Sequence, residues 1–110
     1  MQIYNKLVRD NIPKIITSNG EVPITRVLSD DEYKKCLEDK LYEEYKEVIE
    51  SSGTARLEEL ADVLEIIRAM ALLENSSLEE IIKIADNKRD KRGSFNRKIF
   101  LEKVIDIDKD

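Results

Sequence analysis

A chain of 110 residues is the length of one domain, and a single domain over residues 1–110 is the expectation. The composition is 41% hydrophobic and 39% charged with 3 Gly and 2 Pro, which favours helix and argues against disorder away from the ends. A net charge of −5 argues against nucleic acid as a partner, while the lack of His and the single cysteine, Cys36, exclude imidazole chemistry, His or Cys metal cages and an internal disulfide. Chemistry is left to carboxylates, Lys, Arg or Tyr.

The elements follow in chain order. Asn11, Ile12 and Pro13 suit a cap and first turn, and Asn19-Gly20 a stop, so a brief helix is predicted over 12–18. Val22, Ile24, Val27 and Leu28 with Thr25 predict a short strand over 22–28. Ser29 and Glu32 form the S-x-x-E pattern of a helix start, and a long helix should run from there to about Ser51. After Ser51-Ser52-Gly53, Thr54 is a plausible cap for a second long helix ending near Asn75. Ser77 and Glu80 repeat the capping pattern for a third, running to about Lys91 with Gly93 just beyond. Ile99, Phe100, Leu101 and Val104 suggest an extended segment over 99–104 that pairs with 22–28, and the polar tail from Asp106 should fray. The expected fold is mainly α: an antiparallel bundle of three to four helices with a small β element.

Neither end of the hydropathy scale points to a membrane. Arg9, Asp10, Pro13 and Lys14 interrupt the first twenty residues, which therefore lack the apolar run of a signal peptide. The longest apolar region, 63–73, is cut by Glu65 and Arg68 and falls short of the about 20 residues a span requires. A cytoplasmic protein is expected.

Two pairs of carboxylates stand where apolar residues belong. Stepping about 100° per residue along the stripe of Leu37, Leu41 and Val48 places Glu44 near its centre, with Glu47 one turn on. On the next helix, apolar nearly all round, Glu59 and Asp62 share a side with Ile66 and Leu73. A short link makes these helices antiparallel, so E-x-x-E and E-x-x-D can meet in one cleft. Four like charges in an apolar cleft need cancelling, by protonation or by a hard divalent cation held through oxygen, and Mg²⁺ combines a few carboxylates with substrate phosphates. The alternative is a solvated face, in which Glu43, Glu44, Glu47 and Glu50 pair with Lys40 and Lys46.

The opposite charge gathers elsewhere. Lys88, Arg89, Lys91, Arg92, Arg97 and Lys98 crowd one short stretch, and Lys6 and Arg9 flank Leu7-Val8. Such clusters suit a polyphosphate, a helix end whose carbonyls attract cations, or a nonspecific patch. Tyr4, Tyr33, Tyr42, Tyr45 and Phe95 serve equally as stacking partners for a base or as core, with core the default.

Taken together, Tyr4-Asn5-Lys6-Leu7-Val8-Arg9-Asp10-Asn11-Ile12-Pro13, the two acidic pairs and Lys91-Arg92-Gly93-Ser94-Phe95 resemble the MazG-like, all-α nucleoside triphosphate pyrophosphohydrolase superfamily. The resemblance runs from about residue 3 to 103 and is strongest to its small house-cleaning branch. Asn11 stands where Lys is usual, and Ser94 where a second Gly is usual. The resemblance implies an Mg²⁺-dependent enzyme that cleaves a nucleoside triphosphate to the monophosphate and pyrophosphate, with non-canonical nucleotides as the house-cleaning substrates. It implies Glu44, Glu47, Glu59 and Asp62 as metal ligands and Lys6, Arg9, Lys88 and Arg92 as phosphate-binding residues. With no His present, a carboxylate must accept the proton of the attacking water, and Glu44 and Glu47 are the candidates. A homodimer or homotetramer is expected, both from relatives of this kind and from the two apolar faces of the second long helix. Two competing readings keep the fold: a phosphoribosyl-ATP pyrophosphohydrolase, and a non-catalytic module that binds nucleotide or metal and oligomerises.

Overall fold

The computed structural model describes residues 1–109. Among these residues four helices are present, α1 (Ile12–Ser18), α2 (Asp30–Glu50), α3 (Gly53–Leu73) and α4 (Leu78–Arg92), followed by a 3₁₀ turn at Ile107–Lys109. That turn falls in the tail expected to fray, and Asp110 lies outside the described residues. The contacts divide the chain into two compact units, one of Met1–Leu78 and one that starts at Glu79.

The helix boundaries follow from local chemistry. Pro13 sits in the first turn of α1, where its missing N–H is no loss. Asn11 precedes that turn without a side-chain capping bond, contrary to the expected cap; instead the Ile12 N–H donates to the Arg9 carbonyl at 3.0 Å. At the other end Gly20, at φ +85°, lets its own N–H reach Thr17 and the Glu21 N–H reach Ile16. This pair of crossed bonds satisfies two of the carbonyls that a helix end leaves open. The same closure ends α3, with Asn75 at φ +57° in place of glycine and the Ser76 N–H donating to Ala71 at 2.8 Å.

α2 starts on the predicted capping box. The Glu32 N–H donates to Ser29 Oγ at 3.3 Å, and the Ser29 N–H donates to the Glu32 carboxylate at 3.2 Å. The link to α3 is shorter than predicted: α3 begins at Gly53, and Thr54 lies inside it rather than capping it. Gly53 takes φ +57°, the left-handed turn that reverses the chain within two residues. Arg56 then reaches back from α3, its Nε donating to the Ser51 carbonyl at 2.8 Å. So short a link makes α2 and α3 an antiparallel hairpin, and these are the helices that pack together.

No strand occurs among the described residues, so the predicted β element of 22–28 and 99–104 is not formed. Val22, Ile24 and Val27 are largely exposed, as are Phe100 and Val104. β-branched residues favour extended backbone, but a lone pair of strands without a third strand or a covering helix is marginal in water. Arg26 is instead drawn onto Glu32, donating through Nη1 and Nη2 at 3.2 and 2.9 Å, so the segment serves as the lead-in to α2.

The buried apolar residues are few: Leu37 on α2, Ile66 and Ala71 on α3, and Leu78. α3 leaves Leu57, Leu60 and Leu64 substantially exposed. Among the described residues no helix is long and apolar enough to cross a membrane.

A carboxylate cluster at the helical hairpin

Periodicity sets the site. Glu44 falls on the stripe that α2 turns towards α3, and it is the buried charged residue of the hairpin, 7% exposed. Oε2 of this side chain is buried with no hydrogen-bond partner. Glu59 and Asp62, one turn apart on α3, bring carboxylate oxygens to the same place. One oxygen from each of Glu44, Glu59 and Asp62 can be chosen so that all three lie within 4.8 Å of one another. Glu47 stands outside that group of three, but it is near enough to raise the pKa of both Glu44 and Glu59. Three of the four predicted carboxylates, Glu44, Glu59 and Asp62, therefore converge, and the solvated-face alternative does not hold for Glu44.

The electrostatics follow from that crowding. Burial first, and then the hydrogen bond and charge of Glu47, push the Glu44 carboxyl up to about 7. Glu59 is also raised, chiefly by its hydrogen bond with Glu47 and by burial. A carboxylate withdrawn from water beside like charges holds its proton until something positive replaces it. The donor set suits such a replacement: all oxygen, all carboxylate, no nitrogen or sulfur, the chemistry of hard divalent cations. The cluster could hold a metal ion.

The predicted cations are placed as follows. Arg9 lies at the cluster itself, its Nη2 donating to Asp62 Oδ1 at 2.6 Å. Lys6 instead faces Glu43, at 3.9 Å, with its ammonium 5.9 Å from the centre of the Tyr4 ring. Lys88 and Arg92 are exposed on the later turns of α4, in the second unit. Sequence reasoning missed the Arg9–Asp62 and Lys6–Glu43 pairs; partners 53 residues apart, as in the first, leave no spacing signal.

The neighbouring face of the hairpin is apolar. Leu41, Tyr42, Tyr45 and Val48 of α2, with Leu60 and Val63 of α3, line an open groove of about 510 Å³, and among the described residues Glu38 of α2 is its one charged lining residue. The rings of Tyr42 and Tyr45 stack at 6.2 Å between centres, and the Lys46 ammonium lies 4.7 Å from the Tyr42 ring centre. The default core role fails for Tyr4, Tyr42, Tyr45 and Phe95, all of which are exposed; Tyr33 is half-buried. One turn of α2 presents its aromatic residues outward because the inward positions go to Leu37 and Glu44.

No family model matches the chain, and no solved structure matches it. A protein of Mycolicibacterium smegmatis, described only as an uncharacterized protein, is 51% identical over 43 residues. The match spans 39% of this chain and 44% of the length of that protein, and its description carries no activity.

Proposed function

We propose that the chain is a MazG-like, Mg²⁺-dependent nucleoside triphosphate pyrophosphohydrolase of the house-cleaning kind, releasing a nucleoside monophosphate and pyrophosphate. The observation that supports this reading best is Glu44: a buried carboxylate with an unpartnered oxygen, grouped with Glu59 and Asp62. Isolating such a group from water costs several kcal/mol, so its retention is explained by a cation that it serves.

The residues divide the work. Glu44, Glu59 and Asp62 would supply the ligand oxygens, and an ion held there would contribute positive charge for phosphate oxygens. Glu47, which stands outside that group of three, is the carboxylate we assign to accept the proton of the attacking water. Arg9 and Lys6, on the segment before α1, are the cations assigned to the phosphates. Lys88 and Arg92 carry the same assignment from the sequence resemblance alone. Oligomerisation belongs to this reading: the exposed Leu57, Leu60 and Leu64 and the groove beside them are an apolar face that a second copy would cover, as a dimer or tetramer.

The test is pyrophosphate release from a panel of canonical and modified nucleoside triphosphates, with and without Mg²⁺. Glu47→Gln and Asp62→Asn should each lower the rate on the order of a hundredfold or more while the helical circular dichroism is retained. Full activity in both variants overturns the reading, and preferential turnover of phosphoribosyl-ATP would move the substrate assignment to that relative.

A further inference from the structure

The most closely paired cation of the first ten residues is Arg9, and its partner belongs to the carboxylate cluster. Arg9 lies on Asp62, and Asp62 is one of the three carboxylates grouped to hold an ion. The two ties that join this segment to the hairpin are unequal. Lys6 meets Glu43 of α2 at 3.9 Å, the outer limit of an ion pair, whereas Arg9 meets Asp62 of α3 at 2.6 Å, a short charge-assisted hydrogen bond. Both members of the stronger tie remain partly open to solvent, at 54% and 42% exposure, so the pair is of modest strength and can exchange partners.

Resting on the metal-site reading above, we propose that Arg9 is a resident counter-ion of the cluster, a latch that a divalent cation must loosen. The electron density that Asp62 offers is limited. A guanidinium bonded to its carboxylate withdraws negative charge from the ligand set and places a positive charge beside the point where a second positive charge would bind. The ion and Arg9 therefore compete for Asp62. Binding of the ion weakens the tie, frees the guanidinium for an anion arriving with the ion, and loosens the segment preceding α1. Metal occupancy and the position of the opening segment are coupled through one residue, and by reciprocity whatever draws Arg9 away strengthens the hold on the metal.

The experiment is a calorimetric titration of the full chain with Mn²⁺ alone, at low ionic strength, for the wild type, Arg9→Gln, Lys6→Gln and Asp62→Asn. The wild type should bind Mn²⁺ and Asp62→Asn should bind it much more weakly; if the wild type takes up no Mn²⁺, the metal-site reading falls and the latch with it. Given binding, Arg9→Gln should tighten Mn²⁺ about two- to fivefold, the scale of a partly exposed ion pair released from competition. Lys6→Gln removes the same charge from the same segment without touching Asp62 and should change the affinity less. Equal tightening in both variants would reduce the effect to net charge and overturn the latch. Unchanged or weaker binding in Arg9→Gln would also overturn it, since Arg9 would then be orienting Asp62 rather than competing for it. A second readout is independent of affinity: the Arg9 side-chain N–H signal in a ¹⁵N NMR spectrum, identified by its loss in Arg9→Gln, should move as diamagnetic Mg²⁺ saturates the wild type. A signal that stays in place through saturation contradicts the release of the guanidinium.

Discussion

Two glutamates of α2 have the same side chain and opposite fates. Glu32, at the helix start, is held down to about 2 by the hydrogen bonds of Arg26 and of the Ser29 backbone and hydroxyl. Glu44, three turns on, is driven up to about 7 by burial and by Glu47. The first carboxylate has its countercharge and its donors supplied by residues a few positions away. The second is buried beside other acids, and one of its oxygens bonds to nothing. The contrast separates a carboxylate that stabilises a helix from one that is kept despite destabilising it, which is the usual mark of a working group.

That contrast is broken most directly by pH. Glu44 has a folded-state value above that of the unfolded chain, so between about 4.5 and 7 the folded protein binds more protons than the unfolded one. Its stabilising contribution is complete below that window and is lost as pH rises through 7. In chelator, urea denaturation should therefore show the protein less stable at pH 8 than at pH 5, by up to about 3 kcal/mol. Glu44→Gln should remove most of that slope, and an unaltered slope in the variant would mean that Glu44 is not the group responsible. Next in size, Mg²⁺ should restore the stability missing at pH 8. At a hundredfold excess over the dissociation constant the gain is about 2.7 kcal/mol, read as a rise in the denaturation midpoint, and it should vanish in Asp62→Asn. The smallest effect belongs to the satisfied end of the helix. Ser29→Ala should cost about 1 kcal/mol by removing one half of the capping box, with no change in the response to Mg²⁺. A loss that depends on the metal would join the two regions that the structure keeps apart.

How much of this was legible in the residues depends on the range of the interaction. The box of Ser29 and Glu32, the span of α1 and the turn at Gly20 are set by neighbours within five positions, and the sequence pattern predicts them. Glu44 was also legible, because helical periodicity alone places it among Leu37, Leu41 and Val48. The extended segments misled for the opposite reason. Their β-branched residues express a local preference, and no partner strand or covering face turns that preference into a sheet. Thr54 failed as a cap because α3 already starts at Gly53, whose positive φ makes the turn, with Ser52 at the cap position.

The sequence by itself determined that this chain is helical, where its helices begin and end within a residue or two, and that Glu44 lies on an inward stripe. These depend on hydrogen bonds and periodicities that repeat every few residues. Only the tertiary structure decided that α2 and α3 bring Glu44, Glu59 and Asp62 within reach of one ion, and that Arg9 rather than Lys6 meets them. Such encounters join residues far apart in the chain, and their geometry exists only once the hairpin has closed.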